Sequence, residues 1–218
     1  LERVTDHISN PNTSLPRQRF RTIRAKHIIL ASGALERHIA FNNNDIPGVM
    51  TANASRHYLN RYGVLTGKNI VITTNNDSVY QTAIELHEAG SKVTVLDSRK
   101  DINIDLPQEV ELHLETLPFS INGSKKIESL DVCKASDKKN KNTIICDQVL
   151  ISGGWSPIVN LVSHRGIKPI WNKENLCFVP GDIKENITVV GSAKGIWNKN
   201  DCIESGLVGA HEAMNTLG

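Results

Sequence analysis

The apolar positions between Ile70 and Asp97 predict a strand, a helix and a second strand. Ile70-Val71-Ile72 and Val93-Thr94-Val95-Leu96 are short continuous apolar runs, the pattern of parallel strands covered on both faces. Between them Val79, Ala83, Ile84 and Leu86 fall on one side of a helix over about residues 77–89. Gly90 ends that helix in the manner of a C-terminal cap. The rest of the chain reads as strands and short helices of mixed type. A strand at 20–23 returns from an irregular opening at 1–18, and 27–31 forms another. Residues 39–50, polar and then Ile-Pro-Gly-Val, read as a crossing between domains. A helix spans 52–62, stopped by Gly63. A strand follows at 110–114, then a hairpin or meander at 125–146 with Ile127, Leu130, Val132, Ile144 and Ile145 as its apolar positions. Lys138, Lys139 and Lys141 mark its solvated tip. A strand at 148–151 precedes a short helix from 157 to 164, and a strand at 187–190 precedes the last helix, 201–215. Asp201 and Glu204 resemble a capping box, and Ile203, Leu207, Val208 and Met214 supply that helix with a stripe to bury.

Three strands run into small-residue turns: Leu30-Ala31-Ser32-Gly33-Ala34, Ile151-Ser152-Gly153-Gly154-Trp155 and Val189-Val190-Gly191-Ser192-Ala193. Small residues at the carboxyl ends of parallel strands let a ligand approach the backbone. The strand–helix–strand unit has the frame of a dinucleotide site, in which glycines admit a pyrophosphate to a helix N-terminus and a later acid takes the ribose hydroxyls. Here Thr74, Asn76 and Val79 stand where the glycines belong. Asn75 and Asn76 can still adopt the left-handed backbone of such a turn. Val79 fills the place of the glycine that lets helix and strand pack closely, and Asp77 suits the helix dipole while repelling a phosphate. Asp97 occupies the position of the ribose acid. Arg99 suits either a 2′-phosphate or plain solvation. Two readings follow, a working second nucleotide site and a retained scaffold whose site has lapsed.

Composition narrows the class. The chain has 218 residues, 39% hydrophobic and 22% charged, with a net charge of +2, which points to neither nucleic acid nor a membrane as partner. No apolar run approaches the ~20 residues that cross a bilayer. Cys133, Cys146, Cys177 and Cys202 form no CxxC pair and fit no metal spacing, so idle thiols in a reducing, cytoplasmic setting are expected. His57, His87, His164 and His211 lie on predicted helices or their ends and read as structural. No residue presents itself as catalytic, and no metal site is expected.

The phrases RAKHIILASGALER (24–37), NNDIPGVM (43–50), YLNRYGV (58–64), TNNDSVY (74–80) and SGGWSP (152–157) resemble the two-dinucleotide-domain flavoprotein superfamily of thioredoxin and glutathione reductases. Within it the resemblance is to α subunits of heterotetrameric sarcosine oxidase, which share the departure from the glycine fingerprint. It implies an α/β fold of Rossmann-like dinucleotide-binding domains: one complete-looking second unit plus the C-terminal part of a first. The expected division is 1–45 as a remnant of the first domain, 46–150 as the second, degenerate one, and 151–218 as the return to the first. The family oxidatively demethylates sarcosine to glycine. The resemblance implies NAD in this subunit, FAD and FMN elsewhere in the assembled complex, and tetrahydrofolate on a further domain. The implied partners are a flavin-containing β subunit together with smaller ones. By position, Ser32, Gly33, Ala34, Gly191 and Ser192 would approach the nucleotide of the first domain, and Asn75, Asn76 and Asp97 belong to the second. The superfamily's late turn usually presents an acid to a flavin; Gly191-Ser192 has none, which fits NAD better than FAD. The alternatives are part of a related amine dehydrogenase that acts on opines or proline, and a scaffold with no nucleotide of its own.

Overall fold

The computed structural model describes residues 1–218. The apolar runs assemble into a five-stranded parallel sheet in the order Val49–Thr51, Gln148–Ser152, Asn69–Thr74, Lys92–Asp97 and Glu111–His113. Side chains alternate across it, as strand geometry requires. On one face Ile70, Ile72, Val93, Val95 and Leu150 pack against Val79, Tyr80, Ala83 and Leu86 of the helical segment. On the other face Val71, Leu96 and Val149 meet Ile121, Ile127, Leu130 and Val132. Those last four come from an antiparallel three-stranded sheet, Thr116–Gly123, Ile127–Lys134 and Asp137–Ile145. Each such side chain, taken fully out of water, stabilises the fold by about 1.5–3 kcal/mol. Covering on both faces explains why the central strands read as unbroken apolar runs.

The helix Ala52–Tyr62 opens with the Thr51 side chain accepting from the Ala54 amide and closes at Gly63, whose φ is 63°. Its Arg56 donates to both carboxylate oxygens of Glu85, at 2.8 and 2.7 Å, tying it to the neighbouring helix Tyr80–Glu88.

Beside this body lie several two-stranded pairings. Ile28–Leu30 runs parallel to Ile187–Val189, Ala34–Glu36 antiparallel to Trp155–Pro157, and Ile170–Asn172 antiparallel to Cys177–Val179. The helix Lys199–Leu217 packs on the first of them through Gly209, where a Cβ would lie 2.6 Å from Val190 Cγ1. No helix is long and apolar enough to cross a membrane.

The structure corrects several expectations. The stripe on the last helix is not buried: Ile203, Leu207, Val208 and Met214 are exposed, and only Gly209 and Ala213 are covered. That helix is capped by Asn198, which accepts from the Asn200 and Asp201 amides, so Asp201 lies inside the first turn. The strand expected at 20–23 is instead Gln18–Arg19, paired with Glu2–Arg3. The crossing at 39–50 ends in a strand, Val49–Thr51, on the edge of the main sheet. The segment after Gly154 is first a strand, Trp155–Pro157, and only later a single helical turn, Asn160–Ser163. The lysines of 138–141 lie along an exposed edge strand rather than at a tip.

Candidate functional site

The carboxyl ends of the strands converge on one crevice of about 790 Å3. Each of the three small-residue turns contributes to it: Ala34 from the first, Gly154 and Trp155 from the second, Ser192 from the third. The rewritten turn supplies Asn75, Asn76, Asp77 and Ser78, and the hairpin at 170–179 reaches in with Glu174, Asn175 and Leu176. Its size falls in the range of small-molecule and cofactor sites.

The residues singled out from sequence divide by position. Ala34, Asn75, Asn76 and Ser192 line the crevice. Ser32, Gly33 and Gly191 stand immediately behind it. Gly33 has φ 79°, and a Cβ there would find only Ser192 Oγ, at 4.0 Å, which brings the first and third turns side by side. Ser32 Oγ donates to the Ile158 carbonyl at 3.3 Å. Gly191, with φ 64°, donates its amide to Ser205 Oγ at 3.2 Å. Both glycines hold left-handed backbone that side chains disfavour.

Asp97 is different. It is completely buried and is not part of the crevice wall. Its Oδ1 accepts from the Arg99 amide at 2.9 Å and from Arg99 Nε at 3.1 Å; Oδ2 accepts from Tyr80 Oη at 2.7 Å and Arg99 Nη2 at 2.8 Å. Both oxygens are therefore committed to protein donors, whereas a ribose diol needs them free. Burial and the Asp97 hydrogen bond push the Tyr80 hydroxyl well above its ordinary value. Arg99 also reaches Asp77 at 2.6 Å. The guanidinium that could have met a 2′-phosphate is thus held between two carboxylates, and its charge is stabilised first by the Asp97 hydrogen bond.

The turn itself is not built on a left-handed asparagine. Asn76 is extended, with φ −152° and ψ 167°, and the turn is closed by Thr74, whose hydroxyl accepts from the Asn76 amide at 3.1 Å and donates to the Asn76 carbonyl at 3.0 Å. A short 3-10 segment, Asp77–Val79, then leads into the helix. Val79 is buried in the main core, so the helix packs on the sheet through a side chain where a glycine would have brought it closer.

Two crevice features carry almost no signal in the sequence. Arg37 lines the crevice, donates from Nη1 to the Leu176 carbonyl at 2.8 Å, and keeps a buried Nε without a partner. That nitrogen is shut off from solvent, and leaving it unpaired is a cost to the fold. Arg37 is the cation of the crevice not already claimed by a carboxylate pair, since Arg99 is taken. Trp155 separates the crevice from a second, apolar groove of about 850 Å3, lined also by Leu35, Glu36, His57, Tyr58 and Tyr62. Glu36 there accepts from the Asn53 amide at 2.8 Å, and burial raises its carboxyl above the usual range. Only position marks either residue in the sequence: Arg37 lies three residues past one turn, and Trp155 ends another.

No protein-family model matches the chain. It is 37% identical over 220 residues to the sarcosine oxidase α subunit of Rhizobium meliloti (strain 1021), covering 100% of this chain and 22% of that protein. It is 27% identical over 229 residues to an opine oxidase subunit of Rhizobium meliloti, covering 91% of this chain and 43% of that one. In three dimensions it superposes on Lactococcus lactis thioredoxin reductase with a TM-score of 0.67 at 20% identity, over 88% of this chain and 66% of the reductase. The chain spans about a fifth of the length of the sarcosine oxidase relative. It is a homologue, over its whole length, of a segment of the sarcosine oxidase α subunit, with an α/β fold of the kind found in thioredoxin reductase.

Proposed function

We propose that this chain is the nucleotide-holding portion of an oxidoreductase subunit that serves oxidative demethylation of sarcosine, and that the crevice holds NAD. The convergence of the three glycine-bearing turns on one cavity is the observation that carries this reading. The residues fit such a group. Gly33 and Gly191 keep the backbone bare behind Ala34 and Ser192, Arg37 brings to the wall a guanidinium with no carboxylate partner, suited to a phosphate or carboxamide oxygen, and Asn75 and Asn198 add polar groups at the rim. Bound there, a nicotinamide dinucleotide would supply a hydride acceptor or donor, while the chain binds and orients it. The absence of an acid at Gly191-Ser192 supports NAD over FAD here.

On this reading the first-domain elements at 1–45 and 151–218 frame the nucleotide, and 46–150 form the second, scaffold-like domain. Amine oxidation takes place at a flavin in a β-type partner, with FAD and FMN elsewhere in the complex and tetrahydrofolate on a further domain. The higher identity to sarcosine oxidase than to opine oxidase, 37% against 27%, favours sarcosine over an opine as substrate.

The test is co-expression of the full-length polypeptide with its β-type partner. The proposal expects a flavin-containing complex, sarcosine-dependent peroxide formation, and NAD binding that Gly191→Val weakens by straining a left-handed backbone. A complex oxidising opines but not sarcosine would shift the substrate. NAD binding indifferent to Gly191→Val would place the nucleotide outside the crevice.

A further inference from the structure

The turn at 74–78 closes largely on itself. Its donors are consumed by its own side chains: Asn76 Oδ1 accepts from the Ser78 amide at 3.1 Å, Thr74 Oγ1 accepts from the Asn76 amide, and the Asp77 carboxylate stands at the mouth paired with Arg99. What these side chains leave over points at the neighbouring turn. Asn76 Nδ2 donates to Ser152 O at 3.1 Å and Ser152 Oγ at 3.2 Å. Ser78 Oγ donates to Asn76 Oδ1 at 2.6 Å and accepts from Trp155 Nε1 at 2.9 Å. A continuous run of hydrogen bonds therefore grips both ends of the segment 152–155.

Between those ends lie Gly153 and Gly154, whose missing Cβ atoms make room for Arg37. A Cβ at Gly154, where φ is 93°, would sit 2.6 Å from Arg37 Nη2, and one at Gly153 would sit 3.1 Å from the Arg37 carbonyl. Their backbone is held to that of Arg37, Gly153 donating to the Arg37 carbonyl at 2.7 Å and the Gly154 carbonyl accepting from the Arg37 amide at 2.9 Å, and the indole beyond them is fixed by its side-chain hydrogen bond and by backbone pairing with Glu36. Trp155 is the residue, with Ala34, that both cavities share.

We infer that Asn76 and Ser78 are positioning residues, which hold the Trp155 indole as the wall between the crevice and the apolar groove. The former phosphate turn thereby shapes the ligand site of the other domain instead of binding a nucleotide of its own. That a dinucleotide meets this wall rests on the function proposed above; the positioning of the indole does not.

Labelling with 5-fluorotryptophan tests the two separately. In the full-length protein the Trp155 fluorine resonance is assigned by its loss in Trp155→Phe. Ser78→Ala is expected to shift and broaden that resonance, and Ser78→Thr, which keeps a hydroxyl, to restore it. Calorimetry with NAD is expected to show affinity falling about fivefold in Ser78→Ala, the scale of one hydrogen bond, with the same rescue. A Trp155 resonance unmoved in both Ser78→Ala and Asn76→Ala overturns the inference, as does a loss of NAD affinity in Ser78→Ala with the indole undisturbed. A moved indole in a protein that never binds NAD keeps the positioning role and counts against the dinucleotide instead.

Discussion

Asp97→Asn separates the two roles this acid can have. The carboxylate is completely buried, with both oxygens engaged by Tyr80 and Arg99. Asparagine keeps the shape but removes the charge and turns an NH2 group toward one of these donors. Breaking a buried pair by removing one partner costs about 3–5 kcal/mol. Arg99 is 32% exposed on its side chain and retains Asp77, which places this case at the lower end, about 3 kcal/mol. For a chain of this length that is a fall of roughly 6–12 °C in Tm. Tyr80→Phe, which removes one of the donors, should cost about 1 kcal/mol. Calorimetric unfolding gives the stability, and titration with NAD gives the affinity. Asp97→Asn is expected to lose stability while binding NAD within about twofold of the parent, because Asp97 lies outside the crevice wall. A variant with parental Tm but NAD affinity reduced roughly tenfold or more would restore the ribose role and refute the reasoning.

Other consequences follow from single groups. Hydrogen bonding from Arg56 holds the Glu85 carboxyl down to about 2, against an ordinary 4.5. A depressed carboxylate stabilises fully above its unfolded value, and the contribution is lost as pH falls from about 4.5 toward 2. After discounting for Arg56, 40% exposed on its side chain, it is worth about 1 kcal/mol. Glu85→Gln should therefore flatten the acid limb of a denaturant-midpoint profile, and an unchanged limb would contradict the assignment. Burial, with the charge of Asp147 adding to it, pushes the Cys146 thiol up to about 12. In the native protein Cys146 should resist a thiol-specific disulfide reagent at about pH 8, below its raised value, and react on unfolding. Rapid native labelling, located by peptide mapping, would show that the strand around it opens.

How much of the fold is legible in the sequence depends on how locally it is encoded. The central strand–helix–strand unit is legible because Ile70-Val71-Ile72 and Val93–Leu96 are buried on both sheet faces, which leaves an unbroken apolar signature. Strand Thr116–Gly123 is hidden because Pro118 interrupts it and its partner lies across a turn of polar residues. Trp155–Pro157 is hidden because its pairing partner, Ala34–Glu36, is distant in the chain. The apolar stripe of the last helix is present as the sequence suggests, but it is not buried. Amphipathicity says that a face seeks cover, not which surface supplies it.

The same distinction holds at the site. The three turns are recognisable because glycine and serine at strand ends are a local signal, and the geometry brings all three to one rim. The fate of Asp97 is not, because it depends on a hydroxyl from Tyr80, on the preceding helix, and on Arg99 folding back over its own strand end. Arg37 and Trp155 gain their significance only from neighbours distant in sequence, Leu176 and Ser78 respectively.

The proposal that the glycine-bearing turns at 31–34, 152–155 and 191–193 form one nucleotide crevice is central to all of this. An experimental structure of the full-length protein with NAD tests it most directly. The expected result is density between Ala34, Trp155 and Ser192, with a polar atom of the ligand on the Arg37 guanidinium. Density over the 74–78 turn instead, with Asp97 released from Tyr80 and Arg99 to take the ribose, would contradict it.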